Sequence, residues 1–189
     1  MIPAAAETAR GLYGAWRLLR GDPGGLAGFD DSAEGVWKSF FAAVLSAPGY
    51  GLLLALHLGR NPPEADAASV LAIHLLAYVI SWTAFPLAAY YFARGLDREA
   101  RWTGFVVALN WSKVWQLAIY LPPAVLAGAV IPDPAVAGLV SLAGVIAVLV
   151  YQWYVTRSAL DIPGPTAAGL TAVDLLLGLL ITGSADATL

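Results

Sequence analysis

The chain predicts an all-α fold: a polytopic membrane bundle of five transmembrane helices with an N-terminal amphipathic interfacial helix. Three observations carry this. Five long apolar stretches occupy most of the 189 residues. The composition is 59% hydrophobic and only 12% charged, too little polar surface for a soluble domain of this size. The basic residues fall almost entirely in the gaps on one side of those stretches.

Residues 4–20 predict a helix, with Leu12, Trp16 and Leu19 spaced at i, i+4 and i+7 and flanked by Arg10, Arg17 and Arg20. Two placements fit it. It lies on an anionic cytoplasmic leaflet, bound through Arg10, Trp16, Arg17 and Arg20. Alternatively it docks against the cytoplasmic ends of the spans. Gly21-Asp22-Pro23-Gly24-Gly25 breaks that helix. Asp31 and Glu34 resemble a capping box that starts the next helix, which is expected to run on into the first span past the interfacial Trp37 and Lys38. The leader is therefore residues 1–30 and the five-helix transmembrane domain residues 31–189.

The spans read as Phe40–Leu58, Ala67–Ala93, Thr103–Tyr120 with an extension to Ile131 left open, Pro134–Val155 and Thr166–Thr182. Each approaches the roughly 20 residues that cross a hydrocarbon core. Without water to satisfy backbone groups there, each is expected to be helical. The short alternating segments of a β-barrel are absent. Pro48, Pro86 and Pro122-Pro123 interrupt three spans. Such prolines either bend a helix for packing or mark a broken helix around a substrate site. No repeat relates the two halves, which speaks against an inverted-repeat transporter.

Arg10, Arg17, Arg20 and Lys38 precede the first span, Arg94, Arg98 and Arg101 fill the second gap, and Arg157 the fourth. Arg60 stands alone in the first gap, and Lys113 lies within a span. This bias predicts a cytoplasmic N-terminus and an outward C-terminus. No cleavable signal peptide is expected, because the first apolar run starts late. Abundant Ala, Gly, Leu and Arg suits a high-GC bacterium, which gives the inner membrane as the expected location.

Ionisable groups inside a bilayer are costly and are the first candidates for function. Here they are His74, Lys113 and Asp174, accompanied by Asn110, Gln116 and Gln152. At about 1.5 Å per residue, Lys113 and Asp174 lie at similar depth, roughly 15 and 12 Å from the cytoplasmic ends of their spans. An ion pair between them lowers the cost of burying each. Asn110, Lys113, Gln116 and Tyr120 share one face of the third span. Ala167, Thr171, Asp174, Gly178 and Thr182 form a small and polar stripe on the fifth, and Gly138, Ser141 and Gln152 share a face of the fourth. Trp111 and Trp115 are expected to face lipid. The cluster is either a polar lock for helix packing or a proton or substrate relay. The lock is favoured, because no carboxylate joins His74 to His57 in sequence.

The chain has no cysteine, no metal-ligand spacing, no nucleophile elbow and no phosphate loop, and its net charge is −3. These features call for no cofactor, no metal and no nucleic acid. Membrane lipids, above all anionic ones, are the expected partners, together with a protein partner or further copies of the chain.

Phe29-Asp30-Asp31, then Trp37-Lys38-Ser39-Phe40-Phe41, Leu121-Pro122-Pro123 and Tyr151-Gln152-Trp153-Tyr154 follow one another in an order and texture that resembles the Yip family of Rab-interacting five-span membrane proteins and its bacterial relatives. The segment Asp30–Phe41 is also similar to a group of alphaproteobacterial inner-membrane proteins. The resemblance spans residues 29–183. It implies an all-α, non-enzymatic membrane protein that acts through partners or lipids. Its motifs carry no site residue across, and the long cytoplasmic leader of eukaryotic members is abbreviated here. The sequence thus points to a non-catalytic scaffold or accessory subunit. A small transporter or channel with a polar core, and an intramembrane enzyme, are the alternatives.

Overall fold

A computed structural model describes residues 2–189. Seven α-helices follow in order: α1 (Ala5–Leu19), α2 (Ala33–Ser39), α3 (Phe41–Arg60), α4 (Ala67–Gly95), α5 (Trp102–Val125), α6 (Pro134–Leu160) and α7 (Gly164–Asp186). Short 3-10 turns at Pro23–Gly28 and Glu99–Arg101 join α1 to α2 and α4 to α5, and a π turn at Leu126–Val130 ends α5. No strand occurs among the described residues. Five helical stretches are long and apolar enough to cross a membrane: Ala33–Arg60, Ala67–Gly95, Glu99–Val130, Pro134–Leu160 and Gly164–Asp186. The molecule is a multi-pass membrane protein.

Local chemistry sets the ends of these helices. Asp66 and Asp133 accept the first free N–H groups of α4 and α6, and Pro134 fits the first turn, where no donor is needed. Asp161 ends α6 in the left-handed region (φ 53°). The cap of α2 is Ser32, whose Oγ accepts from Gly35 N–H at 3.0 Å, not the expected Asp31. The expected single helix into the first span is divided at Phe40, where α2 stops and α3 begins.

Within lipid, apolar side chains gain little by leaving acyl chains for each other, so helix faces sort by size and polarity. Leu71, Leu75, Leu76 and Val79 of α4, Leu139, Leu142, Ile146 and Val150 of α6, and Leu175, Leu176, Leu179 and Leu180 of α7 are exposed. These faces are what a bilayer would cover. The interior instead holds His74, Asn110, Gln152, Thr156 and Thr171 beside Phe85, Phe105, Leu109 and Val155. α5 lies in the middle and packs on α3, α4 and α6, while α7 packs on α4 and α6.

The leader is docked. Gly11, Gly14, Ala15 and Leu18 form the buried stripe of α1, packed against α5 and α6. Sequence spacing had singled out Leu12, Trp16 and Leu19 instead. The small residues win because they allow backbone contact: a Cβ on Gly11 would meet the Trp111 indole at 2.5 Å, and one on Gly14 would meet the Gly25 carbonyl at 2.8 Å. Aromatic donors then fasten the leader backbone. Trp115 Nε1 donates to Leu12 O (3.0 Å), Tyr151 OH to Ala15 O (2.7 Å) and Tyr154 OH to Gly21 O (2.6 Å). Trp111 and Trp115 therefore face the leader, not lipid. Trp111 is 4% exposed, and Trp115 lies 4.9 Å from Trp16, ring to ring. Every residue from Phe105 to Ser112 is buried, so the leader-side half of α5 is enclosed all round.

Charge ties the leader to α2. Lys38 Nζ reaches Glu7 at 2.7 Å and Glu34 at 2.9 Å, and Arg17 Nε donates to Asp22 at 2.7 Å. The Lys38 ammonium beside Glu7, aided by the Ala4 N–H, holds the Glu7 carboxyl below its ordinary value. Arg17 and the Gly24 N–H do the same for Asp22. A carboxylate whose folded value is depressed contributes stability above its unfolded value, near pH 4, and loses it as pH falls through the folded one. Acidification below about pH 4 is therefore expected to loosen α1 before the spans unfold, seen as faster hydrogen exchange across residues 5–19 and a change in Trp111 and Trp115 fluorescence. Gly14→Leu is expected to destabilise the same docking at neutral pH by about 1–3 kcal/mol, the usual cost of overpacking, measured as a lower melting temperature in detergent.

Candidate functional site

Polar side chains of α4, α5 and α7 converge on a cavity of about 380 Å³. Lys113, Gln116 and Tyr120 face it from α5, Ser81 and Trp82 from α4, and Asp174 and Gly178 from α7, with Val145, Val148 and Leu149 of α6 completing the wall. Helical spacing of three and four residues puts Lys113, Gln116 and Tyr120 on one stripe, and Asp174 and Gly178 on another. The sequence-predicted faces of the third and fifth spans are thus brought together here. Asn110 is not among them: its Nδ2 donates to Ser39 Oγ at 2.9 Å, tying α5 to the α2–α3 junction. Gly138 is exposed with nothing packed on it.

Lys113 and Asp174 share this cavity but form no direct ion pair. Lys113 Nζ donates to Ser81 O at 3.3 Å and lies 4.9 Å from the centre of the Trp82 ring. Asp174 accepts from Gln152 Nε2. The reason is the order of the helices. α7 packs on α4 and α6, so its carboxylate meets the side chain that α6 offers first, while Lys113 leans toward α4. Depth along the spans was legible, but which helices are neighbours was not. Gln116 Nε2 is buried in the same wall without a hydrogen-bond partner. A donor left so costs about 1–3 kcal/mol unless water or a ligand meets it.

Tyr120 also lines a second cavity, a vestibule of about 450 Å³ toward the end opposite the leader. Tyr50, His57 and Arg60 of α3, His74 of α4, Ser141 of α6 and Thr182 of α7 share that wall. Arg60 also donates to the carbonyl of Ala127 in the π turn, which closes the end of α5. A third, wider hollow of about 560 Å³ adjoins it at His57 and Asn61 and is lined further by Glu64 and Asp186. His74, a candidate from sequence, belongs to this end and not to the cavity of Lys113.

Asp186 is the residue that sequence reasoning missed. Its carboxylate lies 3.3 Å from His57 Nε2 and 4.0 Å from His74 Nε2. It connects the two histidines from the far end of α7, more than one hundred residues along the chain. The only trace of this in the sequence is that His57 and Asp186 fall near the C-terminal ends of their helices and His74 toward the N-terminal end of the antiparallel α4, which puts all three on one side of the bundle.

At the leader side, Arg10, Trp16 and Arg20 are exposed, whereas Arg17 is engaged by Asp22. Ile2, Tyr13 and Trp37 add exposed apolar surface nearby. Among the described residues, no group of three or more His, Asp or Glu is disposed to hold a metal ion.

No family model, curated protein or solved structure matches this chain.

In double-mutant cycles on thermal stability, Gln152→Leu with Asp174→Leu is expected to show coupling of about 1–3 kcal/mol, as for groups in direct contact. Lys113→Met with Asp174→Leu is expected to couple more weakly. The reverse ranking would restore the direct lock.

Proposed function

We propose that this is a non-enzymatic, multi-pass inner-membrane protein of a bacterium whose working part is its polar interior, and that it acts as a small transporter or channel. The observation that carries this reading is that two cavities, one lined by His57 and His74 and the other by Gln116, Lys113 and Asp174, share Tyr120 in their walls, which we read as one lane. Helix packing alone has no need to leave Lys113, Gln116 and Asp174 on the wall of a cavity, because polar groups in lipid are tolerated where they face partners or water. The bias of Arg and Lys toward the leader side supports a cytoplasmic N-terminus, with the vestibule facing outward. In that orientation the lane opens outside. It is stopped on the cytoplasmic side by the enclosed Phe105–Ser112 layer of α5 and the docked leader.

A second reading is a scaffold or accessory subunit working through lipid or protein contacts. The exposed Arg10, Trp16, Arg20 and Trp37 on the leader side favour it, since such a surface suits an anionic leaflet.

Reconstitution into liposomes with an internal pH dye separates the two. A potential-driven proton flux above that of empty liposomes, falling to the empty level in Lys113→Met and Asp174→Asn proteins of normal melting temperature, is expected. Absence of flux for protons and monovalent ions, together with a stoichiometric partner in mild-detergent preparations, would favour the scaffold.

A further inference from the structure

We propose that His57, His74 and Asp186 together form a proton-binding site that draws α3, α4 and α7 together at the end of the bundle opposite the leader. The three groups come from three helices. Asp186 Oδ2 is 3.3 Å from His57 Nε2, and Asp186 Oδ1 is 4.0 Å from His74 Nε2, so one carboxylate serves two imidazoles. His74 is 2% exposed, and its Nε2 is buried with no hydrogen-bond partner. A proton on both ring nitrogens makes this ring a cation 4.0 Å from the Asp186 carboxylate, an attraction that needs no hydrogen bond. His57 sits at the mouth, half exposed, where protons arrive from solvent. His74 lies deeper, on the wall of the vestibule.

The two hollows share His57 in their walls. The other titratable side chains lining the two hollows are Tyr50 and Arg60 of α3, Glu64 of the α3–α4 connection and Tyr120 of α5. α6 and the rest of α7 contribute Ser141 and Thr182, which do not titrate. Arg60 is engaged with the Ala127 carbonyl. Histidine is the side chain whose charge changes between about pH 5 and 8. Once protonated, either ring is attracted by the Asp186 carboxylate. When both are neutral, that charge–charge attraction is lost, and the helix ends are free to separate.

Proton binding here is independent of transport. Its use as a coupling step, filled from outside and leading through Tyr120 toward Lys113, rests on the transporter reading above.

The chain has no cysteine, so labels can be placed at will. Gly59→Cys and Gly183→Cys put spin labels near the ends of α3 and α7 at positions with nothing packed within 4 Å. Pulsed dipolar spectroscopy on the full chain in lipid nanodiscs is expected to give a shorter and narrower distance distribution at about pH 5 than at about pH 8. Asp186→Asn is expected to abolish that difference, and His57→Gln, on an exposed side chain, to reduce it. A distribution identical at both pH values, or a pH response that survives unaltered in both variants, would overturn the site. Because the distance is read without any flux, a failed transport assay leaves this result standing, and the converse also holds.

Discussion

The fold depends on the enclosure of α5. In water a helix is buried by covering its apolar face, but in lipid that gain vanishes, and contact must come from close backbone approach and polar bonds. α5 obtains both. Gly11 of the leader lets α1 lie against Trp111, and the leader's carbonyls accept from Trp115, Tyr151 and Tyr154. These bonds use donors that would be costly to leave bare at the membrane boundary. The leader thus completes the coat around residues 105–112.

This arrangement divides the interior into two regimes. On the leader side the helices close on one another, with the Asn110–Ser39 bond tying α5 to the α2–α3 junction and Ser112 and Thr156 buried between them. Beyond Ser112 the helices stand far enough apart to leave a cavity, and the stripes of Lys113, Gln116, Asp174 and Gly178 face it. Proline contributes there, since Pro122 and Pro123 in α5 precede the π turn at Leu126–Val130, and Pro123 packs close to Gly144 of α6. Splitting the polar residues between a sealed half and an open half is what a vestibule needs, and a uniformly packed bundle would show neither.

Lys113 and Asp174 show how far one-dimensional reasoning reaches. Their matched depth follows from helix rise alone, and they do share a cavity. Their pairing depends on which helices touch. Ser81, Trp82 and Gln152 lie nearer to them, on α4 and α6, and so take the bonds. Trp111 and Trp115 fail for a related reason: an indole on a polar-free face of a span reads as lipid-facing until a second, amphipathic element is known to cover that face.

The sequence by itself determined the all-α class, the five spans, the leader helix and its break, because bilayer thickness and the loss of water impose them on any apolar run of that length. It also determined the stripes of polar residues on each span, since these follow from 100° per residue. Tertiary structure alone decided that the leader docks, that α6 and not α5 answers Asp174, and that Asp186 stands between His57 and His74. Those outcomes turn on the order and rotation of helices around one another. Small residues and single hydrogen bonds set that order, and a stripe of small residues shows which face is approached but not which helix approaches it.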